Sequence, residues 1–314
     1  FAFASELRPL HLLPWVDQRI DQAALAAYFR HLYVPAPATI FCGVKKLRPG
    51  TIVCWDGINL TEQQYWHPSE VARSGLGNLT TCTFQESADE LEQLLMESIG
   101  LRMQSDVPLG AFLSGGIDSS TIVALMQAQS AQPVHTFTIG FSERSHDESS
   151  HARAVATHLG TEHREEILSP HSVIEQIPNI ASFYDEPFAD SSNVPTFLLS
   201  QAARQHVKVA LSGDGGDEIF GGYPRYFWAS RISILQHYLG HALSHHLGQF
   251  LSAVPAGCWD GPITWFGGRR FAGSEGLSSR VKRLGTYLQC SPQRVYDDVL
   301  SAWKAPEELL GIRA

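Results

Sequence analysis

The sequence feature that most constrains the fold is the stretch 113–120, Leu-Ser-Gly-Gly-Ile-Asp-Ser-Ser. A short apolar run, 108–112, precedes it, and a segment with helical character, 121–126, follows it. The order predicts a strand, a tight glycine turn and a helix. The adjacent glycines Gly115 and Gly116 let the backbone reverse and direct its N–H groups toward a ligand. The start of the helix adds unpaired N–H groups and the positive end of its dipole.

The polar side chains of this stretch suit an anion bound at the turn. Ser114, Ser119 and Ser120 supply hydroxyls that can donate to phosphate oxygens. Asp118 is out of place beside a phosphate unless it carries a divalent cation that the phosphates share. Two glycines alone would favour a simpler interpretation, an ordinary strand-to-helix turn with a serine cap. The four features together favour an anion site.

Strands and helices alternate after this turn, which predicts a parallel sheet with helices on both faces. Ligands of such sheets bind at the carboxyl ends of the strands. The glycine turns after Leu113, at Gly140 and after Leu211 all fall at such ends, so we expect one shared site there. The expected strands lie at 134–141, 162–167 and 207–211, and the expected helices at 148–159 and 194–205.

A second glycine-rich stretch, 212–223, follows the last of these strands and contains Asp214, Asp217 and Glu218. Acids this close repel one another and are costly without a cation, although a solvated acidic turn is the commoner structure. The position after an apolar strand, paired with the turn that holds Asp118, favours a site. Asp118 and Asp217 would then hold Mg²⁺ against phosphates. Asp214 and Glu218 would orient an amine or carboxylate substrate.

Composition and charge exclude several other classes of protein. The 314 residues, 44% hydrophobic and 18% charged, describe a globular protein large enough for two domains. The net charge of −9 argues against a nucleic-acid partner. The sequence has no run of eighteen apolar residues and no signal peptide, so we expect no membrane partner. Five scattered cysteines without a CxxC pair indicate reduced thiols in a cytoplasmic protein.

The stretch 113–120 resembles the pyrophosphate loop of the ATP-pyrophosphatase enzymes, in which ATP is cleaved between its α and β phosphates. Ser212–Glu218 and Tyr184–Ser192 resemble the corresponding motifs of glutamine-hydrolysing asparagine synthetases. The N-terminal runs look like the tail of a class II glutamine amidotransferase domain, whose nucleophilic N-terminal cysteine would lie upstream. Those runs are Phe3–Leu7, Tyr33–Phe41 and Lys46–Gly50.

The resemblance implies a role for each site residue. Pyrophosphate would be held by 114–120, Mg²⁺ by Asp118 and Asp217, and the acyl-adenylate would lie beside Asp214. The expected catalytic acids are Asp214, Asp217 and Glu218. The expected nucleotide contacts are Leu113, Ile139, Ser212 and Gly213, with Ser114, Gly115, Gly116, Asp118, Ser119 and Ser120 around the phosphates.

The expected domains are an amidotransferase remnant at 1–68, a polar connector at 69–83 and a synthetase domain at 84–314. The remnant should hold a strand at 1–7, a helix at 21–33 capped by Asp21, and a hairpin that turns at Asp56-Gly57. A long amphipathic helix at 84–102 should open the synthetase domain. Because the chain starts at Phe1, without Met and within a pattern, we expect a fragment with little or no activity by itself.

The function implied is ATP-dependent amide formation: aspartate is adenylated on its side-chain carboxylate, and ammonia derived from glutamine displaces AMP to give asparagine. ATP and Mg²⁺ would be required. The missing glutaminase domain would act in cis. A homodimer is one alternative for the oligomeric state, which the sequence leaves open.

Two other functions remain open. One is a ligase of the same architecture acting on another carboxylate, such as a β-lactam precursor or a peptidic or sugar acid. The other is a non-catalytic nucleotide-binding module, against which the acids in both loops argue. A tRNA-modifying enzyme is disfavoured by the net charge. The family also has a functional lysine further downstream, and no lysine in 227–314 stands in a matching context.

A helix expected at 231–251 would place His237, His241 and His245 on one face. Such spacing invites a metal interpretation. A solvent-facing polar stripe is the preferred interpretation, because no acid or cysteine accompanies the histidines. A further amphipathic segment is expected at 295–310.

Overall fold

The computed structural model describes residues 1–143, 147–255 and 277–311. The chain divides into two compact units, a larger one of Phe1–Gly216 with Glu307–Ala314 and a smaller one of Asp217–Pro306. Each unit has a hydrophobic core of its own.

The N-terminal part of the larger unit consists of short helices and one antiparallel hairpin. The helix predicted at 21–33 is present and is capped by Asp21, whose Oδ1 accepts the N–H groups of Ala23 (2.8 Å) and Ala24 (3.0 Å). The predicted hairpin is also present. The elements are a 3-10 helix (Arg8–Leu12), α1 (Gln22–His31), β1 (Thr51–Trp55), β2 (Leu60–Gln64) and α2 (Pro68–Gly77).

Two predictions for this part differ from the structure. Residues 1–7 form no strand in the described chain, and a 3-10 helix follows at Arg8. Pro9, in its first turn, has a fixed φ and lacks the N–H group that a strand ladder needs. The segment 69–83 is partly helical, because α2 begins at Pro68 and proline suits the first helical position. The placement of a domain boundary in 69–83 stays a prediction.

Four parallel strands form the main sheet in the order β5-β4-β3-β6, which confirms the predicted parallel α/β fold. In the centre, Ala111 lies opposite Thr136 on one side and opposite Leu211 on the other. The edge strand β5 is charged, and Arg164 pairs there with Glu162 at 2.6 Å. The strands are β3 (Leu109–Phe112), β4 (His135–Phe141), β5 (Glu162–Leu168) and β6 (Val209–Leu211).

Helices cover this sheet and complete the main core. Val123 and Met126 are fully buried and pack with Ala111 and Leu113 of the sheet and with Ile99. The helix predicted at 84–102 is present, with a capping box made by Thr83 and Glu86. The helices are α3 (Phe84–Met103), α4 (Ile117–Gln129), α5 (Ser149–Leu159), α6 (Pro170–Phe183) and α7 (Asn193–Ala203). No prediction covered α6, which holds Pro178 in its interior.

The smaller unit is helical, and its first half corrects the prediction of one helix at 231–251. Gly240, with φ of 73° and ψ of 157°, ends one helix and begins the next. Only glycine adopts this conformation readily, so His237 and His245 stand on different helices. The side chain of His241 lies outside the described residues. The helices are α8 (Gly216–Phe220), α9 (Pro224–Leu239), α10 (His241–Ala253), α11 (Leu277–Leu288) and α12 (Pro292–Leu300).

The core of the smaller unit is built around Ile232, Tyr287 and Val295. The buried Gln236 donates from Nε2 to the carbonyl oxygens of Tyr287 (3.1 Å) and Cys290 (2.8 Å), which ties α9 to the end of α11. The segment predicted at 295–310 is not one helix: α12 ends at Leu300, and a short α13 (Pro306–Leu309) follows.

Cys258 lies outside the described residues, whereas Cys42, Cys54, Cys82 and Cys290 are free thiols. Among the residues that the structure describes, no helix is both long enough and apolar enough to span a bilayer.

Packing on α4 gives a stability prediction. Met126 is fully buried, whereas Ile117 on the same helix is 86% exposed. Met126→Ala should lower the free energy of unfolding by about 2–5 kcal/mol, because it leaves a cavity in the core. Ile117→Ala, the matched control, should change it by no more than about 0.5 kcal/mol. Urea unfolding of both variants checks this, and equal effects would contradict the assigned core.

Candidate nucleotide site

The turn after β3 starts from a residue fixed in the sheet. Leu113 is 2% exposed, and its N–H donates to the carbonyl oxygen of Phe137 at 2.9 Å. The hydroxyl of Thr138 donates to the carbonyl oxygen of Leu113. Both partners belong to β4, so the first residue of the turn is held from the neighbouring strand. Ile139, half-buried on the same strand, lies close to its carboxyl end.

Two serine hydroxyls determine the shape of the turn. Ser119 Oγ accepts the N–H of Ser114 at 3.2 Å and lies 2.9 Å from Ser114 Oγ. Ser114 Oγ in turn accepts the N–H of Gly116 at 3.2 Å, and Ser119 Oγ donates to the carbonyl oxygen of Gly116 at 3.3 Å. These hydroxyls therefore hold the backbone of the turn in place, a role that the sequence analysis did not assign to them.

The N-terminus of α4 keeps its donors for a ligand. Gly116 is the N-cap residue, and no side chain in the described part of the chain caps this helix. The N–H groups of a first helical turn have no partner within the helix. Ser120 adds a hydroxyl that is buried and has no hydrogen-bond partner among the described residues. Unpaired donors at the positive end of a helix dipole suit an anion.

Gly115 lets this turn lie directly against α5. Its φ is +80°, and a Cβ at this position would lie 2.6 Å from the backbone nitrogen of Ala152. Gly140, the predicted glycine near the end of β4, is equally crowded, because a Cβ there would lie 2.5 Å from Ile167 Cδ1. Neither position has room for a side chain.

The second glycine-rich stretch meets the first at the start of α4. A Cβ on Gly213 would lie 2.7 Å from the backbone nitrogen of Ser119 and 2.9 Å from the carbonyl carbon of Asp118. A Cβ on Gly216 would lie 2.6 Å from both Cγ and Oδ2 of the Asp118 carboxylate. The structure therefore brings Gly213 and Gly216 against Asp118, as expected for loops that follow the neighbouring strands β3 and β6.

The three acids of the second stretch belong to different units: Asp214 to the larger one, and Asp217 and Glu218 to the smaller one. Asp214, in the larger unit, accepts a hydrogen bond from the hydroxyl of Ser212 at 2.9 Å. Asp217 and Glu218 stand in the first turn of α8 and belong to the smaller unit. There, the carbonyl oxygen of Asp217 accepts the N–H of Gly222 (3.0 Å), and Glu218 Oε1 accepts the hydroxyl of Tyr223 (2.7 Å).

No cluster of three or more histidines, cysteines and acids that could hold a metal occurs among the described residues. The assignment of Asp118 and Asp217 to Mg²⁺ therefore stays a prediction.

The sequence analysis missed two residues that shape the site. Gly216 is the residue that faces the Asp118 carboxylate, and the Gly-Gly pair at 215–216 was the available signal. Asp147 links the end of β4 to the start of α5, because its Oδ1 accepts the N–H groups of Phe141 (3.3 Å) and Ser149 (3.1 Å). Hydrogen bonds from Ser149 hold the pKa of Asp147 below its ordinary value. The available signal for Asp147 was its position two residues before the start of α5.

A parallel sheet with helices on its faces defines an α/β protein, and two glycine-lined turns that meet at a helix N-terminus are typical of α/β proteins that bind phosphorylated ligands. Comparison with known families agrees with this class. Residues 90–306 match the asparagine synthase family model, and residues 1–66 match a glutamine amidotransferase domain. The chain belongs to the asparagine synthase family.

Curated relatives with the same family name match most of this chain. A putative asparagine synthetase [glutamine-hydrolyzing] 2 from Methanocaldococcus jannaschii is 34% identical over 241 residues, 75% of this chain and 45% of that protein. Asparagine synthetase [glutamine-hydrolyzing] 1 from Bacillus subtilis is 36% identical over 229 residues, 71% of this chain and 34% of that protein. The chain thus spans less than half the length of these relatives.

A relative with a different name extends over more of the chain. Amidase chry2 from Gibberella zeae is 25% identical over 318 aligned residues, covering 84% of this chain and 45% of that protein. A solved structure, an NH3-dependent NAD synthetase from Campylobacter jejuni, is 12% identical and covers 67% of this chain and 98% of its own. Its TM-score of 0.30 is too low to bear on the fold.

The contact between the two turns gives a binding prediction. Gly213→Ala should force the second turn away from α4 and weaken ATP binding about tenfold or more, because a Cβ would overlap the backbone of Asp118–Ser119. Gly75→Ala is the matched control, since its Cβ would enter open space. Titration calorimetry with ATP and Mg²⁺ measures both affinities. Equal affinities in folded variants would contradict a site at this contact.

Proposed function

We propose that this chain is the part of an ATP-dependent amide-forming ligase that adenylates the side-chain carboxylate of aspartate and yields asparagine. The observation that carries the proposal is the meeting of two glycine-lined turns at the uncapped N-terminus of α4, with Gly216 against the Asp118 carboxylate. Membership of the asparagine synthase family supports it. The names of the relatives support aspartate and glutamine as substrates.

The proposed reaction has two steps. An oxygen of the aspartate side-chain carboxylate attacks the α-phosphorus of ATP, the bond from that phosphorus to the bridging oxygen breaks, and pyrophosphate leaves. Ammonia then attacks the carboxyl carbon of the mixed anhydride, and AMP leaves with the bonding electron pair as asparagine forms and a proton is lost. Negative charge grows on the leaving group in each step, so the main task of the protein is to neutralise that charge.

The residues of the two turns are suited to this task. The N–H groups of 114–120 and the dipole of α4 would stabilise pyrophosphate as it leaves. Leu113, Ile139, Ser212 and Gly213 would contact the nucleotide. Asp214, which accepts the Ser212 hydroxyl at the mouth of the second turn, would lie beside the adenylated carboxylate. Asp217 and Glu218 would act as further acids of the site.

Mg²⁺ suits the residues present at the first turn. The Asp118 carboxylate lies at the helix N-terminus in a space that a Cβ on Gly216 would fill, and carboxylate oxygens are ligands that Mg²⁺ prefers. Asp118 and Asp217 would hold the ion. When bound, Mg²⁺ would neutralise phosphate charge and favour departure of pyrophosphate.

The glutamine amidotransferase match at 1–66 supports glutamine as the source of ammonia. The free thiols Cys42, Cys54 and Cys82, all exposed, support a cytoplasmic setting for the reaction.

A second candidate is a ligase of the same architecture that acts on a different carboxylate. Amidase chry2, which matches 84% of this chain under another name, favours keeping this candidate. The two candidates share both turns and differ in the acceptor acid, so a substrate panel separates them. A non-catalytic module is disfavoured, because retaining Asp118 at an anion site would be costly without a cation.

The test is pyrophosphate release by the complete gene product, with ATP, Mg²⁺ and ammonium, across carboxylic acids that include aspartate. We expect aspartate-dependent release, and we expect Asp118→Asn to lower it about 10²–10³-fold, by analogy with the loss of a transition-state donor. Asp106→Asn, at an exposed position before β3, is the matched control and should retain activity.

Two other outcomes would contradict this expectation. Release that depends on a different acid would show that aspartate is not the substrate and would still support the proposed chemistry. Absence of release with every acid, despite measurable ATP binding, would refute the ligase and leave the binding module.

A further inference from the structure

The segment 184–192, which connects α6 to α7, carries a family-like motif that the proposed reaction does not use. In the structure this segment lies against residues 8–46, within the part that matches the glutamine amidotransferase domain. Three of its residues, Asp185, Glu186 and Ala189, bond to that part. We call 184–192 the joint segment.

Asp185 forms the first link. Its side chain is 14% exposed and pairs with the guanidinium of Arg8 at 3.2 Å. Its other oxygen accepts the backbone N–H of Arg8 at 3.1 Å. The same guanidinium donates to the carbonyl oxygen of Ser182, at the end of α6. The Asp185 carboxylate thus forms an ion pair with the guanidinium of Arg8 and also accepts a hydrogen bond from the backbone N–H of the same residue.

Glu186 forms the second link in the same way. Its side chain is 15% exposed, one oxygen pairs with the ammonium group of Lys46, and the other accepts the N–H of Ile40 at 2.8 Å. Lys46 also donates to the carbonyl oxygen of Val34 at 2.6 Å. The Glu186 carboxylate is largely buried, whereas its cationic partner Lys46 is 34% exposed. Without Lys46, the charge of that carboxylate would have no paired cation.

A third link uses the backbone. Ala189 donates its N–H to the carbonyl oxygen of Leu32 at 2.9 Å. Leu32 is the C-cap of α1 and the one non-glycine residue with positive φ (66°) among the described residues. Residues other than glycine rarely adopt this region, and Leu32 is held there by its own N–H, which donates to the carbonyl oxygen of Tyr28 at 2.7 Å.

The C-terminal end of the joint segment adjoins α7, and α7 packs against β4. Asn193, the first residue of α7, is buried and donates from Nδ2 to the carbonyl oxygen of Phe188 at 2.9 Å. Residues of α7 pack with Phe137 of β4. Phe137 accepts the N–H of Leu113, the residue that anchors the first turn. Packed, hydrogen-bonded groups therefore run without interruption from Ile40 to the nucleotide turn.

We propose that Asp185 and Glu186 are positioning residues that link the amidotransferase part to the nucleotide turn, so that ammonia from glutamine is spent on amide formation. This inference rests on the proposed function. The two carboxylates bond to Arg8, Ile40 and Lys46 of the amidotransferase part. The carboxylates therefore act by fixing the position of that part relative to the nucleotide turn.

The test compares two nitrogen sources in the complete gene product. Glu186→Gln retains the shape of the side chain and removes the charge that Lys46 neutralises. We expect pyrophosphate release with ammonium to stay within about twofold, and release with glutamine to fall on the order of tenfold. Glutamate formed per pyrophosphate should rise, because ammonia is then lost.

Glu165→Gln is the matched control. Glu165 is also 14% exposed and pairs with Arg153 through contacts of 2.7–3.0 Å, away from the joint segment. Glu165→Gln should leave the ratio of glutamine-dependent to ammonium-dependent pyrophosphate release unchanged. An equal fall in both rates for Glu186→Gln, or an unchanged ratio, would overturn the inference and leave these residues a purely structural role.

Amide exchange in the complete gene product separates failure of this inference from failure of the proposed function. In Glu186→Ala, the N–H of Ile40 should exchange on the order of tenfold faster, because it loses its acceptor. Unchanged exchange would refute the joint whatever the enzyme assays show. Wild-type protein that releases no pyrophosphate with ammonium would refute the proposed function alone, and faster Ile40 exchange would then still support the joint.

Discussion

The close contact between the second glycine turn and the N-terminus of α4 is the constraint on which the rest of the site depends. β3 and β6 are neighbours in a parallel sheet, so the turns that follow them leave the same edge side by side. Gly213 and Gly216 allow the second turn to touch the backbone and the carboxylate of Asp118. A side chain at Gly213 would overlap the backbone of α4, and one at Gly216 would displace the Asp118 carboxylate. The proposed anion site therefore depends on strand order as much as on the residues in either turn.

The sequence was sufficient for the sheet and for the turns because both rest on local chemistry. The run 113–120 contains its own strand end, glycine turn and helix start, and the alternation after it permits few topologies. The helix capped by Asp21 was also predicted correctly from its local sequence. Prediction failed at 231–251, where Gly240 divides the one predicted helix into two. No prediction covered α6, whose interior holds Pro178, a residue that usually argues against a helix.

The internal roles of the site residues were less accessible. Ser114 and Ser119 looked like phosphate donors, and the structure shows their hydroxyls bonded to each other and to the turn. Similarly, the acids of 184–192 carried no signal of a partner, because Arg8, Ile40 and Lys46 are more than a hundred residues away. Contacts across such distances depend on packing that no single stretch encodes.

The pairing of β3 with β6 also has a consequence for synthesis of the protein. Ala111 lies opposite Leu211, so three helical connections and two other strands must be made before the central strand receives its second neighbour. Closing so long a loop is slow and comes late in folding. A nascent chain that has formed β3, β4 and β5 therefore carries only the Asp118 half of the proposed phosphate site. Under the proposed function, ATP would bind only after β6 has joined the sheet, and it would then stabilise only chains whose sheet is complete.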